Sequence, residues 1–167
     1  VVPGGSKTAV LGKNGVGKST LFQLIAGRDQ QIRITPKGKI GYFWQDFTQL
    51  DFEKTVLENT MADAVQTEQT MRNMLARLLF RRDDVYKKAG VLSGGERVKL
   101  SFAKLFGSDC NILLLDEPTN YLDVSSIEVL QEMVREYEGT VLFISHDKAF
   151  CDAVATRKWS IESKKIV

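Results

Sequence analysis

Short, nearly unbroken apolar runs alternate along this chain with segments whose apolar side chains return every three or four residues. Residues 8–11, 112–115 and 140–144 are the runs. Lacking polar residues at alternate positions, they have the pattern of strands buried on both faces of a parallel sheet. Residues 39–44 read as a further strand. Between the runs, residues 18–26 place Leu21, Phe22, Leu24 and Ile25 at helical spacing before Gly27. Residues 96–106 do the same with Val98, Phe102, Leu105 and Phe106. A helix over about 125–137 and a short one after Ser145 continue the alternation, and residues 156–161 and 165–167 predict a small hairpin. Alternating buried strands and helices give an α/β fold.

The alternation lapses between Phe52 and Gly90. Residues 53–82 are helical in pattern, interrupted around Asp63 to Glu68, with Met71, Met74, Leu75, Leu78 and Leu79 at helical spacing. A separate helical lobe over about residues 52–107 is therefore expected, flanked by core segments 6–51 and 108–167.

Composition narrows this picture only slightly. A chain of 167 residues with 43% hydrophobic and 26% charged residues suits one compact domain. No apolar run approaches the roughly 20 residues that span a bilayer, so any membrane must come from a partner. Cys110 and Cys151 lack metal-site spacing and fit buried thiols in a reducing compartment, which predicts a cytoplasmic protein. The formal charge of +2 decides nothing.

Chemistry enters at residues 12–20, Gly-Lys-Asn-Gly-Val-Gly-Lys-Ser-Thr, between a predicted strand and a predicted helix. Glycines at this spacing let the backbone curl so that the N–H groups around Asn14, Gly15 and Gly17 point inward. The following helix adds its positive end, and together they cradle phosphate oxygens. Lys18 would then reach the β- and γ-phosphates, and Ser19 would place its hydroxyl on Mg²⁺. The alternative, a glycine-rich turn with a chance lysine, requires the whole spacing to be accidental.

Asp116 and Glu117 end the apolar strand 112–115, where ligands collect in open α/β sheets. One carboxylate can offset metal charge while the next polarises an attacking water. Pro118 then turns the chain away, so a plain polar strand exit is the competing account. His146, the single histidine, follows the strand 140–144 and could bring its imidazole to the same edge. Gln45 follows the strand 39–44 and could reach the metal or the water, although polar residues commonly follow strands. Leu92-Ser93-Gly94-Gly95-Glu96 precedes a helix and offers a second anion site. One nucleotide needs only one phosphate loop, so this second loop suggests service to a nucleotide held by another domain; a glycine-rich helix cap is the plainer reading.

In order and spacing, residues 12–20, Gln45, residues 92–96, residues 111–117, Asp123 and His146 resemble the motif set of ATP-binding cassette ATPases, P-loop NTPases of α/β fold. The resemblance implies a core with a mixed sheet, a helical lobe carrying the loop at Ser93, and a small antiparallel β-subdomain. It also implies two domains joined head to tail around two Mg-ATP molecules. Lys18, Ser19, Thr20, Gln45, Asp116, Glu117 and His146 would serve the domain's own ATP, with Ser19, Gln45 and Asp116 on the metal side. Ser93, Gly94 and Gly95 would reach the partner's ATP, and Asp123 would lie at the seam. Such domains stack an aromatic residue on adenine upstream of the phosphate loop. None of the residues before Gly12 is aromatic, so the chain is expected to begin inside the domain, its β-subdomain truncated.

The contexts of three motifs, residues 92–100, 116–123 and 145–150, look like those of the F-type cassette proteins. That branch carries two cassettes in one chain without membrane domains, and many members act on the ribosome as translation or antibiotic-resistance factors. The resemblance implies an ATPase active mainly when paired with a second cassette, in the same full-length chain or as a homodimer, with the ribosome as partner. The alternative is the ATP-hydrolysing subunit of a membrane transporter. Arg72, Arg77, Arg81, Arg82, Lys87 and Lys88 could meet RNA phosphates, or be ordinary solvated surface interleaved with Asp83 and Asp84.

Overall fold

The computed structural model describes residues 1–162 and 165–166 and divides into two compact units. The first comprises Val1–Phe43, Cys110–Asn120 and Met133–Val167. Its sheet contains β1 (Lys7–Leu11), β2 (Ile40–Phe43), β3 (Ile112–Asp116), β4 (Thr140–Ile144), β5 (Arg157–Glu162) and β6 (Lys165–Ile166), in the order β2-β3-β4-β1-β5-β6. All neighbouring pairs are parallel except β5 with β6. Parallel pairing forces each connection to cross over, and the helices α1 (Lys18–Ala26) and α6 (Lys148–Val154) occupy two of those connections.

The unbroken apolar strands are buried for the reason their sequence suggested. Leu113, Leu114 and Leu115 of β3 and Val141 and Phe143 of β4 have no accessible surface. One face buries Val10, Phe22, Leu114, Leu142, Ile144 and Ile161 in a single cluster. Each fully buried side chain of this size contributes about 1.5–3 kcal/mol. The expected hairpin is present as β5–β6, with Val167 outside the described residues. Its first strand does more than form a hairpin, since it pairs in parallel with β1 from Thr8↔Arg157 to Leu11↔Ser160. Both cysteines are unbridged thiols.

The second unit comprises Trp44–Asp109 and Tyr121–Glu132. It holds α2 (Val56–Met61), α3 (Glu68–Arg77), α4 (Gly94–Gly107) and the first part of α5 (Val124–Glu136). Met71 and Leu75 of α3 and Leu100, Phe102 and Ala103 of α4 are fully buried. Two departures from the sequence pattern have local causes. Helix α4 begins at Gly94, not Glu96, because Ser93 is its N-cap: Ser93 Oγ accepts from Glu96 N at 3.2 Å and Glu96 Oε2 accepts from Ser93 N at 2.8 Å. Helix α3 stops at Arg77, so Leu79 is half-exposed and outside the apolar stripe. There Phe80 N donates to Leu75 O at 3.0 Å and Leu79 N to Ala76 O at 3.0 Å, a Schellman closure with Leu79 at φ 67°.

Candidate active site

Strand β1 delivers the glycine-rich loop to the C-terminal edge of the sheet. Gly15 and Gly17 have φ of 77° and 106°, and a Cβ at either would meet nothing within 4 Å. Their backbone thus takes a turn that L side chains resist while leaving the cradle open. Leu21 N is bonded to Gly17 O at 2.9 Å, so Lys18, Ser19 and Thr20 precede the first closed turn of α1 with their amides at its positive end. Lys18 is 8% exposed, and its ammonium folds back to donate to Gly12 O at 2.8 Å and Lys13 O at 3.1 Å. Asn14, Ser19 and Thr20 are exposed on the loop. Gly12 answers to a different demand: a Cβ there would sit 2.9 Å from Ile161 O on β5.

Strands β3 and β4 bring three further groups to the same edge. Asp116 is opposite Ile144 in the ladder, and Glu117 N donates to Ile144 O at 2.9 Å. Glu117 lies at φ 50°, a left-handed conformation costing a non-glycine residue about 1–2 kcal/mol. The turn aims its carboxylate at His146, with Oε1 3.1 Å from Nε2 and Oε2 accepting from His146 N at 3.3 Å. Carboxylate and imidazole, adjacent at the sheet edge, can orient one water and shuttle its proton. Ser19 and Asp116 are hard oxygen donors, suited to a small dication that keeps most of its water and shares phosphate oxygens. Among the described residues no cluster of three or more His, Cys, Asp or Glu would hold a metal alone.

One residue at this edge escaped the sequence reading. Tyr42 on β2 is half-buried and interacts with the Asp116 carboxylate. Burial first, then the charge and hydrogen bond of Asp116, push its phenol up to about 12. The available signal was a tyrosine in an apolar strand, whose hydroxyl needs a partner when buried.

The second unit holds the other predicted residues. Gln45 is exposed in the turn that follows β2. Ser93 caps α4, Gly94 and Gly95 form its first turn, and a Cβ at Gly94 would meet nothing while one at Gly95 would lie 2.8 Å from Tyr121 O. Asp123 accepts from Ser126 N at 2.9 Å, and its interaction with Ser126 holds its carboxyl below the usual range. Among the basic residues, Arg72 pairs with Glu68, Arg77 with Glu132, Lys87 with Asp84 and Lys88 with Glu53. Their partners favour ordinary salt-bridged surface over a cationic stripe.

Residues 1–120 match the family described as ABC transporter. The chain is 43% identical over 171 residues to the probable ATP-binding protein YbiT of Escherichia coli O157:H7, covering 98% of this chain and 32% of that protein. It is 35% identical over 165 residues to the erythromycin resistance ATP-binding protein MsrA of Staphylococcus epidermidis, covering 99% of this chain and 34% of that one. It thus spans about a third of the length of these relatives. Among solved structures it resembles the archaeal ribosome recycling factor aABCE1, crystallised with the ribosomal stalk protein aP1, with TM-score 0.78 and 28% identity over 98% of this chain and 34% of that one. The fold also matches the ATP-binding cassette MJ0796, a dimer bound to ADP and Pi, with TM-score 0.77 and 21% identity over 99% of this chain and 85% of that one.

Proposed function

Because this chain belongs to the ABC transporter family and is an ATP-binding cassette whose relatives include ABC transporter F family members, we propose that it is one cassette of a two-cassette ATPase acting on the ribosome. The observation that carries the catalytic part is the convergence at one sheet edge of a preformed phosphate loop, the Asp116–Glu117 pair and His146. In this reading Asn14, Gly15, Gly17 and Thr20 bind phosphate through the loop, and Lys18 trades its backbone carbonyls for β- and γ-phosphate oxygens. Ser19 and Asp116 hold Mg²⁺, which neutralises phosphate charge when bound. Glu117 orients the attacking water, and His146 steadies both Glu117 and the γ-phosphate. Gln45 assists on the metal and water side.

The remaining groups serve a second cassette. Ser93, Gly94 and Gly95 present the start of α4 to the partner's ATP, and Asp123 meets the partner at the seam. This division predicts that the isolated chain binds ATP with little or no turnover. Robust hydrolysis at concentrations where ultracentrifugation shows only monomer would overturn it. The ribosomal part draws on the resemblance to aABCE1, a ribosome recycling factor, and a role there would make the protein cytoplasmic. Among the described residues no helix is long and apolar enough to cross a membrane. A Glu117→Gln variant of the full-length protein should co-sediment with ribosomes in ATP, and no ATP-dependent association would remove this part of the proposal.

A further inference from the structure

We infer that Tyr42 is a positioning residue for Asp116, holding its carboxylate in the orientation that receives the metal; this rests on the proposed reading of Asp116 as a metal-side carboxylate. The sheet register sets up the contact. Strands β2 and β3 are parallel, with Tyr42 opposite Leu114. Side chains alternate across a strand, so Tyr42, Leu114 and Asp116 share one face. Two residues along a strand advance about 6.6 Å, a step a tyrosine ring can cover. A ring inclined toward the C-terminal edge therefore brings its hydroxyl toward the carboxylate, in keeping with the raised phenol, to which the charge and hydrogen bonding of Asp116 contribute after burial.

The ring has little freedom to leave. It packs edge-on against Phe22, with centroids 6.2 Å apart and planes at 80°. Phe22 has no accessible surface and belongs to α1, the helix that begins at Lys18 of the phosphate loop. Tyr42 therefore touches the phosphate-loop helix with its ring and interacts with the carboxylate. A carboxylate accepts about four hydrogen bonds, so the phenol fixes its rotation and leaves lone pairs for the metal or its waters. Glu117, one residue on, is fixed independently through Ile144 and His146.

The test is Tyr42→Phe, which keeps the ring and its packing and removes only the hydroxyl. Mn²⁺ would serve as the probe, its affinity for the ATP-loaded chain read by electron paramagnetic resonance, with metal-free ATP affinity measured alongside. Loss of a group that orients a metal ligand typically costs 10–100-fold in metal affinity; about tenfold is expected here, with metal-free ATP affinity unchanged. In an Asp116→Asn background, Tyr42→Phe should have no further effect. Unchanged or tighter Mn²⁺ binding, or an equal loss with Asn at position 116, would overturn the inference. If Asp116→Asn alone leaves Mn²⁺ affinity intact, the reading of Asp116 fails first and takes this one with it.

Discussion

Gly94 and Gly95 are neighbours in the first turn of α4, and the structure assigns them opposite responses to alanine. A Cβ at Gly94 meets nothing within 4 Å, so Gly94→Ala adds helix propensity, at most about 1 kcal/mol, without a clash. A Cβ at Gly95 lies 2.8 Å from the Tyr121 carbonyl oxygen, closer than real contacts of this kind. That oxygen is backbone and cannot rotate away alone. Tyr121 already sits at φ 66°, and two residues on Asp123 is bound by Ser126 N at 2.9 Å and Ile127 N at 3.0 Å. Overpacking of a fixed neighbour costs about 1–3 kcal/mol, against a propensity gain of about 1 kcal/mol or less.

Gly95→Ala should therefore destabilise by about 1 kcal/mol net, and the two variants should differ by about 2 kcal/mol. Urea unfolding can read this in the unit concerned, because Trp44 lies in the second unit and Trp159 in the first. In a Trp159→Phe background the fluorescence midpoint is read from Trp44, in the same unit as Gly95. Gly95→Ala as stable as Gly94→Ala would refute the argument. The consequence for function is direct. In paired cassettes, a loss of ATP turnover in Gly95→Ala would mix any lost phosphate contact with a displaced Tyr121 turn, whereas Gly94→Ala would isolate the former.

Lys7 is 5% exposed and donates to Gly5 O at 3.1 Å, Tyr137 O at 2.5 Å and Gly139 O at 2.8 Å. Lys7→Met strands these carbonyls and should lower stability by about 1–3 kcal/mol; a change within the error of denaturant titration would contradict the assignment. Glu58 is held below its ordinary 4.5 chiefly by hydrogen bonds from Thr55, and Asp123 below 3.8 by its interaction with Ser126. Depressed folded values mean that this stabilisation is complete above those ordinary values and is lost as pH falls through the lower folded ones. The stability gap between wild type and Glu58→Gln should accordingly shrink from pH 7 to pH 3, and a gap that widens on acidification would reverse the sign.

How much of this could be read from the chain depends on where each structural demand originates. The phosphate loop was legible because its demand is local: positive φ at Gly15 and Gly17 follows from the turn itself. Strands β3 and β4 were legible because burial on both faces removes polar residues from Leu113–Leu115 and Val141–Ile144. The left-handed residues Arg28, Phe47, Leu79, Glu117 and Tyr121 left no such mark, since none is glycine. At Leu79 a Schellman closure and the burial of Phe80 offset the strain. At Glu117 the ladder bond to Ile144 and the contact with His146 do so. Tyr42 stayed hidden because its partner is on another strand and only the β2–β3 register brings them together.

Glycines illustrate the same limit from the other side. Gly12 and Gly95 both lie in loops proposed to meet phosphate, and the chain alone offers backbone approach to phosphate as their reason, or for Gly95 a plain helix cap. In the fold each also excludes a Cβ because a protein carbonyl stands in its way, Ile161 O for Gly12 and Tyr121 O for Gly95. A motif glycine can therefore be required twice, by the ligand and by a segment remote in sequence. Only variants that separate the two demands, as Gly94→Ala and Gly95→Ala do, can show which one governs ATP turnover.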